Sequence, residues 1–576
     1  MIRAILLSLL LITVQSSAIQ LDGIDEFLNG CIGEDLDTPE IFGAVVAVVS
    51  DGEIMALRGY GYADRDGIYP LDPGKTLLPI GSITKLFTWE AAIRLSEKGN
   101  FDRDADINRY LPEAIIPKTH PDPITMNHLM THTSGLDEQV TGLFTQNPND
   151  ILSPFQTYLR VQPKRIRPPG SIASYSNSGA LLAGAVIESV SGESYEEFVS
   201  REILIPYGME MTAVREPLRK DLSLHAPGTL LTDGIPVYSM YLPAGGMHST
   251  AKDMAAYMIR HLMVPDGYHR IFSHDRRLPG ITEGGYFERY RNGERILWHA
   301  GDVPGTSTLL ALVPEHDLGI YICYTGAGGS SERFTLVNRL LDQYLPWEGE
   351  AVWAITGSDE AYTGTYLSSR SPEAGYEKIL RIFAGDQITI RVEDEGDEIR
   401  IGEARYAGVE PDFFTGVNHQ GDLVISHRGE EVWLFIGDIP SIAWRRTGLS
   451  ENPDLQYGLL ILFSGFFLQG TLISIIRAIQ SSDQSEKRRY ALTTLLSGSA
   501  LLFLLLFFGT IQIFGLLFGK PPLFRAILWI PMITTVLTLI LIVASLKNRD
   551  SYHMSIAGGS VLYLLWLHTW SLLIPI

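Results

Sequence analysis

The chain has 576 residues, 45% of them hydrophobic and 19% charged, with a mean hydropathy of +0.10 and a formal net charge of −21. These proportions exclude a disordered, collagen-like or coiled-coil chain, and the acidic balance argues against a nucleic-acid-binding surface. Two cysteines, Cys31 and Cys323, are too few for a disulfide framework or a zinc cluster, and leave open one bridge or two thiols.

Residues 1–18 read as a secretory signal peptide. Met1-Ile2-Arg3 is a short positive start, Ala4 to Val14 is largely apolar but too short to span a bilayer, and Ser16-Ser17-Ala18 offers small residues for cleavage. Residues 19–345 then mix strands and helices. Gly43 to Val49 is a β-branched run, Asp51-Gly52 signals a hairpin turn, and Ile54 to Tyr62 returns as the paired strand. A helix is expected from Ser82 to about Lys98, stopped by Gly99-Asn100. Three further strands, Arg295 to Trp298, Thr306 to Val313 and Gly319 to Tyr324, precede a closing helix from Glu332 to Tyr344. Strands at both ends with helices between them point to one antiparallel sheet made from the two termini, with helices packed on it.

Residues 346–360 read as a linker. Residues 361–450 hold short alternating segments (Thr365-Tyr366, Ile379 to Phe383, Ile388 to Val392, Leu423 to Ser426, Val432 to Ile436) between Gly/Asp turns, which suggests a small β-barrel or sandwich. In 455–576, four apolar stretches at about 457–476, 491–518, 526–546 and 556–575 each approach the roughly 20 residues of a transmembrane helix. The connections after the first and third carry Arg477, Lys487, Arg488, Arg489, Lys547 and Arg549, against Lys520 and Arg525 in the middle one. By the positive-inside rule the first span runs from outside to inside, the orientation a signal peptide also demands. The expectation is a multi-pass cell-membrane protein in contact with lipid, its folded domains extracytoplasmic. His568 in the last span reads as a neutral histidine packed among helices.

No G-x-S-x-G elbow occurs, so an α/β-hydrolase lacks its anchor. His128 and His132 have zinc-helix spacing, but Leu129 stands where a metalloprotease places Glu, and capping or core packing explains them better. An S-x-x-K stands at Ser82-Ile83-Thr84-Lys85. On a helix, positions i and i+3 share a face, so the amine reaches the hydroxyl one turn back. A desolvated lysine can then activate that serine as its base; the competing reading is that Ser82 only caps the helix. Ser249-Thr250-Ala251-Lys252 has the same pattern, but Thr250 and Asp253 there resemble a capping box. Tyr175-Ser176-Asn177 would point a phenol and an amide to one side of an extended segment, whereas Asn292 before Gly293 reads as a turn. His299-Ala300-Gly301 follows an expected strand and leads into another, where glycine lets a substrate lie close against strand backbone; His419 and His427 head similar triplets in the small β domain.

Taken together, Pro79 to Lys85, Leu129 to Leu136 (LMTHTSGL), Pro169-Gly170 to Asn177, Pro243 to Met247 and His299-Ala300-Gly301 resemble the serine β-lactamase and penicillin-binding-protein-like hydrolases of the class C type, over roughly residues 25–345. The resemblance implies an α+β fold with helices on both faces of an antiparallel sheet, and acyl transfer through a serine ester. It assigns Ser82 as nucleophile, Lys85 and Tyr175 as proton carriers, and the backbone N–H groups of Ser82 and Asp302 as the oxyanion hole. Asn177, His299 and Gly301 would contact a small-molecule or peptide substrate. No metal or organic cofactor is implied. His299, where many β-lactamases carry lysine, is similar to certain DD-peptidases, D-aminopeptidases and esterases of the same fold. A β-lactamase and a penicillin-binding-like sensor without turnover are the alternatives, and the oligomeric state is open.

Overall fold

A computed structural model describes residues 19–113, 115–215, 237–264, 268–347, 362–383, 389–394, 398–417, 421–514, 522–548 and 550–573. The expected signal peptide and most of the expected linker lie outside the described residues.

The main sheet has eight strands: β1 (Ile41–Ser50), β2 (Glu53–Gly61), β3 (Arg270–Phe272), β4 (Ile281–Thr282), β5 (Phe287–Arg291), β6 (Glu294–Val303), β7 (Thr306–Val313) and β8 (Leu318–Gly326), in the order β2-β1-β8-β7-β6-β5-β4-β3. The β1–β2 hairpin turns at Asp51 and Gly52, both left-handed (φ 51° and 72°), as a tight hairpin requires. The N-terminal hairpin closes against the C-terminal strand, with Val46 opposite Ile322, as the two-termini expectation held.

Both faces of this sheet are buried, and the strand period of two divides its side chains between them. Val45, Ala47 and Val49 enter a core with α2 (Thr84–Glu97), α3 (Asn177–Ser191) and α4 (Ala251–Leu262). Ala44, Val46 and Val48 face the opposite way, against α1 (Ile24–Leu36) and α5 (Gly329–Tyr344). Double-sided burial explains the near-continuous hydrophobic reading of β1, β7 and β8. Cys31 and Cys323 are both free thiols.

The small β domain is a closed barrel of eight strands: β9 (Gly364–Ser368), β10 (Thr389–Asp394), β11 (Glu398–Ile401), β12 (Ala404–Glu410), β13 (Phe413–Gly416), β14 (Asp422–Arg428), β15 (Glu431–Ile436) and β16 (Trp444–Arg446). β16 returns to pair with β9. Ile379 to Phe383, expected as a strand, is instead helical: a 3₁₀ turn at Tyr376–Ile379 runs into a short helix at Leu380–Phe383. The reason is its periodicity. Tyr376, Ile379 and Ile382 recur every third residue and pack together into the core of the C-terminal helices.

The long ones among those helices are α6 (Pro453–Gln480), α7 (Gln484–Phe514), α8 (Ile530–Asn548) and α9 (Ser551–Thr569), with a short helix at Pro522–Ile527 before α8. Three of them contain segments long and apolar enough to cross a membrane: Pro453–Gln480, Gln484–Thr510 and Ile530–Asn548. The fourth expected span coincides with α9, which does not reach that apolarity, because His553, Ser555, Gly558, Gly559, Ser560 and His568 dilute it. His568 is not packed among helices as expected: α9 buries Ile556, Ser560, Tyr563 and Leu567, and His568 falls on the exposed side of that seam.

Candidate active site

A 3₁₀ turn, Gly81–Ile83, leads directly into α2 and carries Ser82 at the floor of a cleft of about 1010 Å³. Gly81 adopts φ 53° there, and a side chain would meet the Asp302 backbone nitrogen at 2.9 Å, so only glycine fits the turn against β6. Ser82 makes no capping bond to the helix.

Lys85, one turn later, is completely buried. Its Nζ lies 3.0 Å from Ser82 Oγ, 2.8 Å from Asn177 Oδ1 and 2.7 Å from the Ala244 carbonyl. Burial pushes the amine well below the ordinary lysine value, with Arg370 reinforcing and Glu138 opposing the shift. A neutral amine has two N–H donors. The fixed acceptors Asn177 Oδ1 and Ala244 O match both, which leaves the nitrogen lone pair turned to the Ser82 hydroxyl.

Tyr175 is buried beside this pair, its ring centroid 4.8 Å from Lys85 Nζ. Burial drives its phenol well above the usual tyrosine range, against a hydrogen bond with Ser82 and the field of Arg370, so at neutral pH it is a proton donor. His132 (φ 56°) packs under the ring at 4.5 Å and accepts the Ser176 N–H at Nδ1. Its burial keeps it neutral. Ser176 caps α3 by accepting the Gly179 N–H, which places Asn177 in the first turn.

On β6, Gly301 faces the Ser82 turn so closely that a methyl group would sit 2.8 Å from Ser82 N and 2.1 Å from Ile80 O. The backbone nitrogens of Ser82 and Asp302 thus meet at one end of the cleft. The Asp302 carboxylate turns away to Arg333, at 2.8 Å from each of two guanidinium nitrogens. His299 stacks on Phe287 with its Nδ1 2.9 Å from the Ala300 carbonyl, and burial lowers its pKa to about 3. It is therefore neutral, with Nδ1–H donating and Nε2 left as an unpartnered acceptor.

All seven sequence-derived candidates (Ser82, Lys85, Tyr175, Asn177, His299, Gly301, Asp302) therefore gather around one cleft. The other matches resolve otherwise. Ser249 bonds Thr212, and Thr250 caps α4, but Asp253 turns to Met211 and Thr212 instead of completing a capping box. His128 caps the Met126–Met130 helix through Thr125, and Asn292 occupies a left-handed turn (φ 55°).

Two residues of the site had no sequence signal. Glu138, fully buried, accepts the Asn177 backbone N–H at 3.0 Å and its Nδ2 at 2.8 Å, fixing the amide so that Oδ1 faces Lys85. Arg370 comes from the barrel; its guanidinium lies 4.8 Å above the Tyr175 ring and 3.8 Å from Glu138. No local pattern marks either one.

The family model described as Beta-lactamase matches residues 28–344. Protein flp of Staphylococcus aureus (strain N315) is 25% identical over 311 residues, which cover 51% of this chain and 62% of that protein, so the chain spans less than two thirds of this relative's length. Among solved structures, the octameric penicillin-binding protein homologue from Pyrococcus abyssi aligns with a TM-score of 0.48 at 20% identity, covering 73% of this chain and all of that one. The Beta-lactamase/D-alanine carboxypeptidase from Yersinia pestis aligns with a TM-score of 0.47 at 20% identity, over 56% of this chain and 99% of that one. With its serine, lysine, tyrosine and asparagine converging in the matched region, the chain belongs to the Beta-lactamase family of serine-hydrolase-type proteins.

Proposed function

We propose that this protein is an exported, membrane-anchored serine hydrolase that acts through an acyl-serine intermediate, as a peptidase or esterase on peptide-like substrates. The observation that carries this reading is the buried Lys85 amine 3.0 Å from Ser82 Oγ, with its two other acceptors already fixed. The Ser82 proton passes to Lys85 as Oγ bonds to the substrate carbonyl carbon, and the N–H groups of Ser82 and Asp302 hold the resulting oxyanion. Tyr175 gives its proton to the leaving nitrogen or oxygen as the scissile bond breaks, and recovers one from Lys85. Water then attacks the ester with the same two groups acting in reverse. Asn177 orients Lys85 and the substrate amide.

Treating the full chain in detergent with a fluorophosphonate probe tests this reading. The adduct is expected on Ser82, and labelling that persists unchanged in Ser82→Ala overturns it. Nitrocefin turnover separates a β-lactamase from a peptidase that acylates in one burst and stalls.

One observation favours a second reading, a ligand sensor coupled to the membrane helices. The segment between β9 and β10 touches both. Glu377 accepts the Val140 and Thr141 N–H groups, next to Glu138, while Tyr376 packs 5.4 Å from Phe524 and Lys378 Nζ donates to the Thr569 carbonyl at 3.0 Å. A physiological response that survives Lys85→Ala with ligand binding intact would select it.

A further inference from the structure

The barrel is docked on the hydrolase domain as a wall of its cleft. Val424, Trp433 and Phe435 on its outer face pack against Ile172 and Leu278, and Phe435 stacks on His274 at 4.4 Å. Its β9–β10 connection is clamped at two points that flank the site. Ser369 Oγ donates to the Ala173 carbonyl at 2.8 Å and its own carbonyl accepts from Ser174 Oγ, just before Tyr175. The Glu373 and Ala374 N–H groups bond the Asp137 carboxylate, just before Glu138. Arg370 lies between the two clamps, so the chain is held taut across Tyr175 and Glu138.

The cleft lining places three arginines near the reacting groups, and two of them are occupied. Lys85, behind the lining, is a neutral amine with both N–H donors engaged by Asn177 and Ala244. Arg333 is bound to Asp302 and to the carbonyls of Gly301 and Thr308. Arg289 is buried, bonds Asn338, and faces Asp438. Among the described residues, the Arg370 guanidinium makes no hydrogen bond. Its nearest carboxylate, Glu138, is 3.8 Å away, and its side chain is 38% exposed. His299 cannot stand in for a cation, because it is neutral and presents a lone pair. Arginine's planar fork matches a carboxylate in a bidentate fashion, and the Tyr175 ring, 4.8 Å from the guanidinium carbon, holds that fork over the phenol.

We propose that Arg370, delivered to the cleft by the barrel, is the specificity residue that receives a carboxylate on the leaving-group side of the substrate. The proposal rests on the serine-hydrolase reading. Tyr175 protonates the leaving group there, so the leaving group lies along the phenol, and a carboxylate one residue beyond the scissile bond comes under the guanidinium that lies over that ring. The substrate class is an amide or ester whose departing half ends in a free acid, and the barrel is part of the binding site.

The test measures how N-acetyl-alanyl-alanine (all stereoisomers mixed) and its C-terminal carboxamide slow fluorophosphonate labelling of Ser82 in the full-length protein in detergent. In the wild type, the acid is expected to protect at a concentration about ten- to a hundredfold lower than the carboxamide, the worth of a charge-assisted pair. In Arg370→Ala and Arg370→Gln that ratio falls to near one, and Arg370→Lys restores part of it. A ratio near one in the wild type overturns the proposal. So does a ratio retained in Arg370→Ala while both protecting concentrations rise together, which would make Arg370 a positioning residue for Tyr175. Absence of any Ser82 adduct in the wild type overturns the hydrolase reading, and this proposal with it, and is distinguished because it needs no competitor.

Discussion

Gly301→Ala puts the geometry of the oxyanion end to a quantitative test. The added methyl would lie 2.1 Å from Ile80 O, 2.5 Å from Thr308 Oγ1 and 2.8 Å from Ser82 N. Two of these are backbone atoms that cannot rotate aside, and Thr308 Oγ1 is held by its bonds to the Ile80 and Gly301 carbonyls. Non-bonded carbon and oxygen rest at roughly 3.3 Å or more, so β6 and the Ser82 turn must part by about 1 Å. A displacement of that size at a reacting group costs on the order of a hundredfold in rate, and loss of one oxyanion donor costs a similar amount. The expected fall in kcat/KM is therefore about a hundredfold, or ~2.7 kcal/mol, with overpacking destabilising the fold by about 1–3 kcal/mol. Ester hydrolysis gives the first number and urea unfolding the second. Gly30→Ala is the control, since nothing lies within 4 Å of its position on α1 and its φ is not left-handed. A Gly301→Ala variant that hydrolyses esters at the wild-type rate would refute the placement of Ser82 N and Asp302 N as one hole.

Tyr175→Phe should lower hydrolysis of amides about 10²- to 10⁴-fold and of activated esters much less, because only a poor leaving group needs its proton; equal losses on both, read from steady-state rates, would contradict its role as acid. Ser249→Ala should leave ester hydrolysis unchanged within twofold, since Ser249 bonds Thr212 away from the cleft, whereas Thr250→Ala should cost about 1 kcal/mol by uncapping α4. Asp137, whose burial raises its pKa to about 6, binds its proton more tightly folded than unfolded. Its contribution is full below the free-carboxyl value of 3.8 and is lost as pH rises through about 6, up to about 3 kcal/mol in all. Urea midpoints should therefore show the wild type losing stability relative to Asp137→Asn between pH 4.5 and 7, and a constant difference would refute it.

Much of this site was legible because its parts carry local signatures. Ser82 and Lys85 are one helical turn apart, Tyr175 and Asn177 sit at the entry to α3, and Gly301 follows closely on the apolar run Ile296-Leu297-Trp298, although the strand itself continues to Val303, past the expected end at Trp298. The hairpin at Asp51-Gly52 was equally plain, because only a few residues accept two successive left-handed positions. Glu138 and Arg370 were not legible, since their roles come from contacts across 39 and 195 residues or more of chain. The helical turn at Tyr376–Phe383 was misread because a short apolar run fits strand and helix alike until its partner is known, and that partner is the C-terminal bundle. His568 faces outward on α9 for a related reason: a helix whose polar and apolar residues are spread evenly around it gives no hint of which side its neighbours will cover.

The most direct measurement follows the second-order rate of fluorophosphonate attachment to Ser82 as a function of pH. An amine that burial keeps deprotonated must make the rate climb with pH through an apparent pKa well below 10.5 and then level off, and Lys85→Ala must abolish that climb along with most of the rate. A profile that begins to rise only near the ordinary lysine value, or one that survives the loss of Lys85, would contradict the account.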